Sequence, residues 1–166
     1  GQYQLTEKLG ESGMGVVYRA SHALLQRPAA VKLLPAERVG ARMLARFERE
    51  VRLTARLTHP NTVTVFDYGR TPEGIFYYAM ELLGGATLGE IVSRHGRMPP
   101  ARVVHVLRQV CASLAEAHGL GLIHRDIKPS NIVLCERGGV EDTVKVLDFG
   151  LVKELDRPES AQLTHA

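Results

Sequence analysis

The sequence has no long hydrophobic run. Its best stretch, Val103 to Ile123, is interrupted by Arg108, Glu116 and His118 and falls short of the ~18 apolar residues of a membrane span. It has only two cysteines, Cys111 and Cys135, without metal-ligand or redox spacing, so they read as free thiols in a reducing cytosol. It has no basic block either. Lys+Arg 21 against Asp+Glu 18 gives +3, spread along the chain, which is too weak a balance to imply nucleic acid and leaves acidic small ligands open. There is no internal repeat, low-complexity tract, collagen period or sustained heptad, so solenoids and fibrous folds are excluded. What remains, 166 residues with 45% hydrophobic and 23% charged, is an ordinary globular composition. The length fits about one domain of ~150 residues, or two small lobes around a shared cleft. At this size folding buries about 68–70% of the unfolded surface, enough for a core without staples. The chain opens on Gly1 with no signal peptide and closes on a polar, aperiodic stretch from Arg157 to Ala166. It is therefore expected to begin inside a longer protein or after a tag scar, and to stop short of a natural end.

Hydrophobic period divides the chain in two. The first half carries strand signals at Tyr3–Leu9, Val16–Ala20, Ala29–Leu34, Thr62–Phe66 and Ile75–Met80, the last after the turn Thr71-Pro72-Glu73-Gly74. Between the third and fourth, Leu44, Phe47, Val51 and Thr54 or Ala55 fall on one helical face. In the second half helices are expected to dominate. Thr87-Leu88-Gly89-Glu90 has the capping-box pattern, and Val103, Leu107, Val110, Leu114 and Ala117 form an apolar stripe on a helix opened by Pro99-Pro100 and closed near Gly119 or Gly121. Short strands at Ile132–Leu134 and Val144–Leu147 flank a Glu136-Arg137-Gly138-Gly139 loop, and Gly84-Gly85 reads as the hinge between halves.

Several residues carry chemistry. Gly10-Glu11-Ser12-Gly13-Met14-Gly15-Val16-Val17 lies between two strands, where glycines either close a tight hairpin or let backbone N–H groups cover phosphate oxygens. No helix follows and no Gly-Lys-Ser/Thr closes it, so dinucleotide and Walker loops are disfavoured. Lys32 in an apolar strand and Glu50 on the next helix could pair and aim the lysine at an anionic ligand; the alternative for Glu50 is a surface pair with Arg46 or Arg49. The strongest signal is His124-Arg125-Asp126-Ile127-Lys128-Pro129-Ser130-Asn131 followed by Asp148-Phe149-Gly150. In such a set a carboxylate can accept a hydroxyl proton, a lysine can neutralise a phosphoryl oxygen, and an Asn with an Asp can hold Mg²⁺.

The ordered set Lys32, Glu50, Asp126, Asn131, Asp148 resembles the protein-kinase family from the glycine loop to Asp148-Phe149-Gly150. The resemblance implies an α+β, two-lobed fold: residues 1–83 as a nucleotide-binding N-lobe with an antiparallel five-stranded sheet and the family's helix C, and 84–166 as a partial, mainly helical C-lobe. Ala29-Ala30-Val31-Lys32 resembles the family's third-strand motif, Glu50 the helix C glutamate, and His59-Pro60-Asn61 the turn after that helix. It implies Asp126 as catalytic base, Lys128 as phosphate-stabilising lysine, and Asn131 and Asp148 as Mg²⁺ ligands, with Mn²⁺ an alternative. ATP would lie against Leu9, Gly10, Ser12, Gly13, Met14, Gly15, Val17, Ala30, Lys32 and Val133, with Met80 as gatekeeper and Glu81 and Leu83 at the hinge. Lys128, Gly13-Met14-Gly15 and Arg46-Phe47-Glu48-Arg49-Glu50 resemble eukaryotic-like (Hanks-type) serine/threonine kinases of bacteria, and Arg125 resembles the arginine of kinases activated by phosphorylation.

The implied activity is transfer of the γ-phosphoryl group of ATP to serine and threonine of protein substrates. The alternatives are a pseudokinase scaffold, which intact Lys32, Asp126 and Asp148 disfavour, and a small-molecule phosphotransferase of related fold. The implied setting is cytoplasmic, with no nucleic-acid partner and no membrane segment in this chain, although a longer protein could carry an anchor; dimerisation for autophosphorylation is compatible with the family. Two features depart from the pattern. Ser12 stands where the loop's second glycine belongs, and no Ala-Pro-Glu motif follows Asp148. The 166 residues alone are therefore expected to lack a peptide platform and to be inactive, with Ser160 and Thr164 as candidate autophosphorylation sites in a longer chain.

Overall fold

The computed structural model describes residues 2–12, 15–34 and 41–149. Five strands, β1 (Tyr3–Ser12), β2 (Gly15–His22), β3 (Pro28–Leu34), β4 (Val65–Arg70) and β5 (Phe76–Glu81), form one antiparallel sheet in the order β1-β2-β3-β5-β4. Helix α1 (Ala41–Thr54) buries Leu44, Phe47, Val51 and Thr54, the face its period predicts. These residues pack on Ala30, Leu34, Phe76, Tyr78 and Met80, so α1 covers the sheet face that β3 and β5 present at alternate positions. Phe47 meets Phe76 edge to face at 5.4 Å, an arrangement worth ~1 kcal/mol beyond area burial.

Gly15 is required by packing: a β-carbon there would stand 2.1 Å from the Leu33 carbonyl oxygen of β3. Its place in the sequence pattern therefore has a structural cause beside any role toward phosphate.

The fourth strand signal is displaced. Thr62–Phe66 was expected, whereas the strand runs Val65–Arg70 and Thr62 forms only an isolated parallel bridge to Val146. The β-branched residues at 62–64 are drawn into a different structure, because this segment is fastened to the second half of the chain. Glu116 accepts from Thr58 N–H and Oγ1 at 2.9 Å and from His59 N–H at 3.0 Å. Asn61 Nδ2 donates to Gln109 Oε1 and to the Val144 carbonyl, both at 2.9 Å, and the Thr62 and Ser113 hydroxyls bond at 2.7 Å.

The second half holds β6 (Gly85–Thr87), α2 (Leu88–His95), α3 (Pro100–Gly119), a 3₁₀ turn (Pro129–Asn131), β7 (Ile132–Arg137) and β8 (Val140–Val146). The three strands form a second sheet, β6-β7-β8. Thr87 and Glu90 make the expected capping box at the start of α2. Gly85 has φ 156 and lies so close to β7 that a β-carbon would meet the Leu134 carbonyl at 2.1 Å.

Helix α3 starts at Pro100 and ends at Gly119 as expected, but its buried residues are Val106, Val110, Ser113 and Ala117. The expected stripe differs: Val110 and Ala117 are buried, while Val103 is 37% and Leu107 49% exposed. The helix is rotated toward a polar anchor, Ser113 on Thr62, which an apolar count passes over. No helix among the described residues is long and apolar enough to cross a membrane. Cys111 is exposed and Cys135 buried, and both are free.

Candidate active site

Alternation along β3 places Ala30, Lys32 and Leu34 on the α1 side of the sheet. Ala30 is opposite Met80, and Lys32 lies between Val17 and Tyr78 in register. Lys32 is 3% exposed, so its ammonium requires a compensating charge. Asp148 supplies it, with Nζ to Oδ2 at 2.9 Å. The other oxygen, Oδ1, accepts from the Tyr78 hydroxyl at 2.7 Å. Burial alone would push Asp148 up, but the Lys32 charge and the hydrogen bonds from Tyr78 and Lys32 hold it below the ordinary carboxylate value. Burial pushes the Tyr78 phenol well above its ordinary value, and the charge on Asp148 adds to that.

The expected Lys32–Glu50 pair is not formed. Glu50 stands 3.9 Å from Arg125 Nη1, while Lys32 bonds to Asp148. Both partly or wholly buried charges are compensated, by partners other than each other.

The segment 124–131 is a second cluster. The 3₁₀ turn at Pro129–Asn131 brings Asn131 back to Asp126, donating from Nδ2 to the Asp126 carbonyl at 2.9 Å and to Oδ2 at 3.1 Å. Lys128 Nζ meets the same Oδ2 at 2.7 Å. Because the amide nitrogen of Asn131 is committed to Asp126, its Oδ1 is the atom with coordinating capacity.

The two clusters are joined through Leu147. Its N–H donates to the Asn131 carbonyl at 2.9 Å, and its carbonyl meets His124 Nε2 at 2.7 Å. The Asp126 N–H reaches His124 Nδ1 at 3.3 Å, which assigns the proton to Nε2 as donor to Leu147. Phe149 is fully buried, its ring 4.7 Å from the imidazole of His124. Arg125 and Asp148 have φ 62 and 52, left-handed conformations costing about 1–2 kcal/mol each for non-glycine residues. Such strain concentrates at functional positions.

Burial holds His124 below the ordinary histidine value. A base whose folded value is depressed contributes stability above its unfolded value, near pH 6.5, and loses it as pH falls toward the folded value. Unfolding free energy is therefore expected to decline between pH 7.5 and 5.5, the His124 share being at most about 1.4 kcal/mol per pH unit. Denaturant titrations of the parent and His124→Gln check this; equal pH slopes for the two proteins would contradict it.

At the hinge, the Glu81 backbone ends β5 while its side chain is 9% exposed and faces away into a buried ion cluster. Lys145 Nζ lies 2.6 Å from Glu81 Oε1, the Thr64 N–H donates to that oxygen at 2.9 Å, and Arg137 pairs with Oε2. Burial opposes the charge on Glu81, but Lys145, Thr64 and Arg137 prevail and hold it below the ordinary value. Sequence reasoning missed Tyr78, Lys145 and Arg137. The signal for Tyr78 was available, since it shares a strand face with Met80 by the two-residue period.

Of the expected nucleotide contacts, Val17, Ala30 and Met80 pack into one cluster. Val133 is buried on β7, Leu83 is half-buried, and Leu9 is exposed with Gly10 beside it near the end of β1. Gly13, Met14, Gly150, Ser160 and Thr164 lie outside the described residues, as does the segment Arg125 was expected to serve.

The model of the protein kinase domain matches residues 3–166. The chain belongs to the protein kinase family. It is 41% identical over 156 residues to the serine/threonine-protein kinase pkn3 of Myxococcus xanthus, covering 93% of this chain and 28% of that protein. Against the serine/threonine-protein kinase PknL of Mycobacterium bovis it is 42% identical over 153 residues, 92% of this chain and 37% of the relative. PrkC of Bacillus subtilis is 34% identical over 166 residues, 99% of this chain and 24% of its own length. The chain thus spans roughly a quarter to two fifths of these relatives. Among solved structures, the kinase domain of Mycobacterium tuberculosis PknI superposes with a TM-score of 0.79 at 30% identity, covering 92% of this chain and 60% of that one. The fold of this chain is therefore that of part of the two-lobed kinase architecture, with its five-stranded sheet and α1, and the kinase relatives named above are bacterial.

Proposed function

We propose that the protein containing this chain is a serine/threonine protein kinase that transfers the γ-phosphoryl group of ATP to protein hydroxyls, with residues 1–83 as nucleotide-binding lobe and 84–166 as part of the catalytic lobe. The observation that carries the reading is the convergence of Lys128 and Asn131 on the Asp126 carboxylate, in a segment fastened through Leu147 to the residue pair Lys32–Asp148.

A divalent cation fits the residues present. Mg²⁺ favours one or two protein oxygens plus substrate phosphates over an all-protein cage. Among the described residues no group of three His, Cys, Asp or Glu could hold a metal, so a cation here would take one oxygen each from Asn131 and Asp148 and the rest from phosphates and water. When bound, Mg²⁺ would neutralise charge on the phosphates. The chain's own residues do the rest. Lys32 offers its ammonium to the nucleotide, and Val17, Ala30 and Met80 give an apolar wall for a purine. Asp126 orients the serine or threonine hydroxyl and takes its proton as oxygen bonds to the γ-phosphorus and the β–γ bridging oxygen leaves with the electron pair. Lys128 holds Asp126 in place and neutralises a phosphoryl oxygen. Glu50 is proposed to serve Lys32 when α1 brings the two together, releasing Arg125 for a phosphate on the segment that follows.

The nucleotide part is tested by thermal or denaturant unfolding with ATP. At about 100 times its dissociation constant, a ligand stabilises by roughly 2.7 kcal/mol. That gain is expected with Mg²⁺ and largely absent with chelator, and Asp148→Ala is expected to abolish the difference. Equal stabilisation with and without Mg²⁺ in the parent would refute the metal assignment.

A further inference from the structure

Asp148 has two carboxylate oxygens and each has one partner, Lys32 on Oδ2 and Tyr78 on Oδ1. These partners differ in kind. Lys32 carries a flexible four-carbon stem with rotatable donors, and in the proposed reaction its charge is drawn to phosphates. Tyr78 has two side-chain torsions and sits 3% exposed in the middle of β5, in the core beneath α1. Its ring lies against Phe47 with centroids 5.9 Å apart. The cavity bordered by Val51, Thr54, Val63, Val65, Tyr78, Asp148 and Phe149 is only about 10 Å³. A phenol ring cannot swing into such a space, so the hydroxyl has one place to be.

We propose that Tyr78 is a positioning residue of the metal site: its hydroxyl fixes the Asp148 carboxylate from the core side, so that the carboxylate keeps its orientation when Lys32 turns to the nucleotide. The inference rests on Asp148 being a metal ligand. Asp148 is left-handed at φ 52, a backbone held by its surroundings, and Tyr78 gives its side chain the matching constraint. Ligating carboxylates held by outer hydrogen bonds lose about 10–100-fold in metal affinity when those bonds are removed.

The test measures binding of a fluorescent ADP analogue to the intact protein across a Mg²⁺ titration, for the parent, Tyr78→Phe, Tyr78→Leu and Asp148→Asn. Nucleotide affinity in chelator is expected to stay within about 2-fold of the parent for both Tyr78 variants, while the Mg²⁺ concentration giving half the full effect rises about 10-fold. Tyr78→Leu provides the same hydroxyl deletion in a different apolar body should one variant not fold. A purely structural role would lower melting temperature in chelator without moving the Mg²⁺ midpoint, and an unmoved midpoint overturns the proposal. A midpoint shifted to lower Mg²⁺ also overturns it, because the hydroxyl would then compete with the metal. If Asp148→Asn keeps the parent's Mg²⁺ dependence, the metal reading of Asp148 fails, a result separate from the behaviour of the Tyr78 variants.

Discussion

Replacing Asp126 by Asn in the intact protein is expected to leave nucleotide binding nearly unchanged while lowering turnover by roughly 10²–10⁴-fold, the usual worth of a positioned general base. The separation of effects follows from the site. Asp126 is held by Lys128 and Asn131 within segment 124–131, and its carboxylate makes no bond to Lys32 or Asp148. An Asn of the same shape can still accept from Asn131 and Lys128, but it cannot take the hydroxyl proton. Lys32→Met behaves differently, removing the charge that compensates Asp148 and would face the nucleotide, so binding and turnover should fall together. Equilibrium binding with a nonhydrolysable ATP analogue and steady-state kinetics on the same preparations check the split. A Asp126→Asn protein with parental kcat, or with nucleotide binding lost in proportion to activity, would contradict the role.

The second large effect is on stability and lies behind the hinge. Glu81→Ala is expected to destabilise the fold by about 3–5 kcal/mol, because it leaves a buried charge without its partner. Lys145 is 5% exposed, and without Glu81 its ammonium keeps only the Thr62 carbonyl at 3.2 Å. The Thr64 N–H loses its acceptor as well. For a domain of this size the melting temperature should fall by on the order of 10 °C. The double variant Glu81→Leu, Lys145→Met removes both charges and should recover much of that loss, since well-packed apolar replacements of buried pairs are often neutral. Arg137 can still turn to solvent, its side chain being 48% exposed. Denaturant unfolding of the three proteins decides the matter. A single variant as stable as the parent, or a double variant no better than the single, would show that the cluster is not a compensated buried network.

Most of the fold was legible because its signals are local. Leu44, Phe47 and Val51 repeat at helical spacing and are buried on the face of α1 that meets the sheet, and Thr87 with Glu90 forms the capping box that its four-residue pattern announces. The ordered set Lys32, Glu50, Asp126, Asn131 and Asp148 was legible as a motif; two clusters joined through Leu147 bring together all of it but Glu50, which stands by Arg125 instead of Lys32.

What sequence could not give is set by contacts distant along the chain. The strand expected at Thr62 begins instead at Val65, because Asn61 and Thr62 are captured by Gln109, Val144 and Ser113, some fifty to eighty residues later. The same capture rotates α3, so that a serine is buried while Leu107 is exposed. From sequence Lys32 was expected to pair with Glu50, whereas the placement of α1 and of the segment after β8 gives it Asp148. Lys145 looks like an ordinary member of an apolar strand until its partner, Glu81, is seen opposite it.

The most direct test is phosphoamino-acid analysis after incubating the intact protein with γ-labelled ATP, Mg²⁺ and a mixed protein substrate, beside Asp126→Asn. Labelled phosphoserine and phosphothreonine with the parent, and label at background with the variant, are the expected result. Equal labelling by the two proteins, or no transfer by a parent that binds ATP with Mg²⁺, would contradict the assignment of this site to phosphoryl transfer.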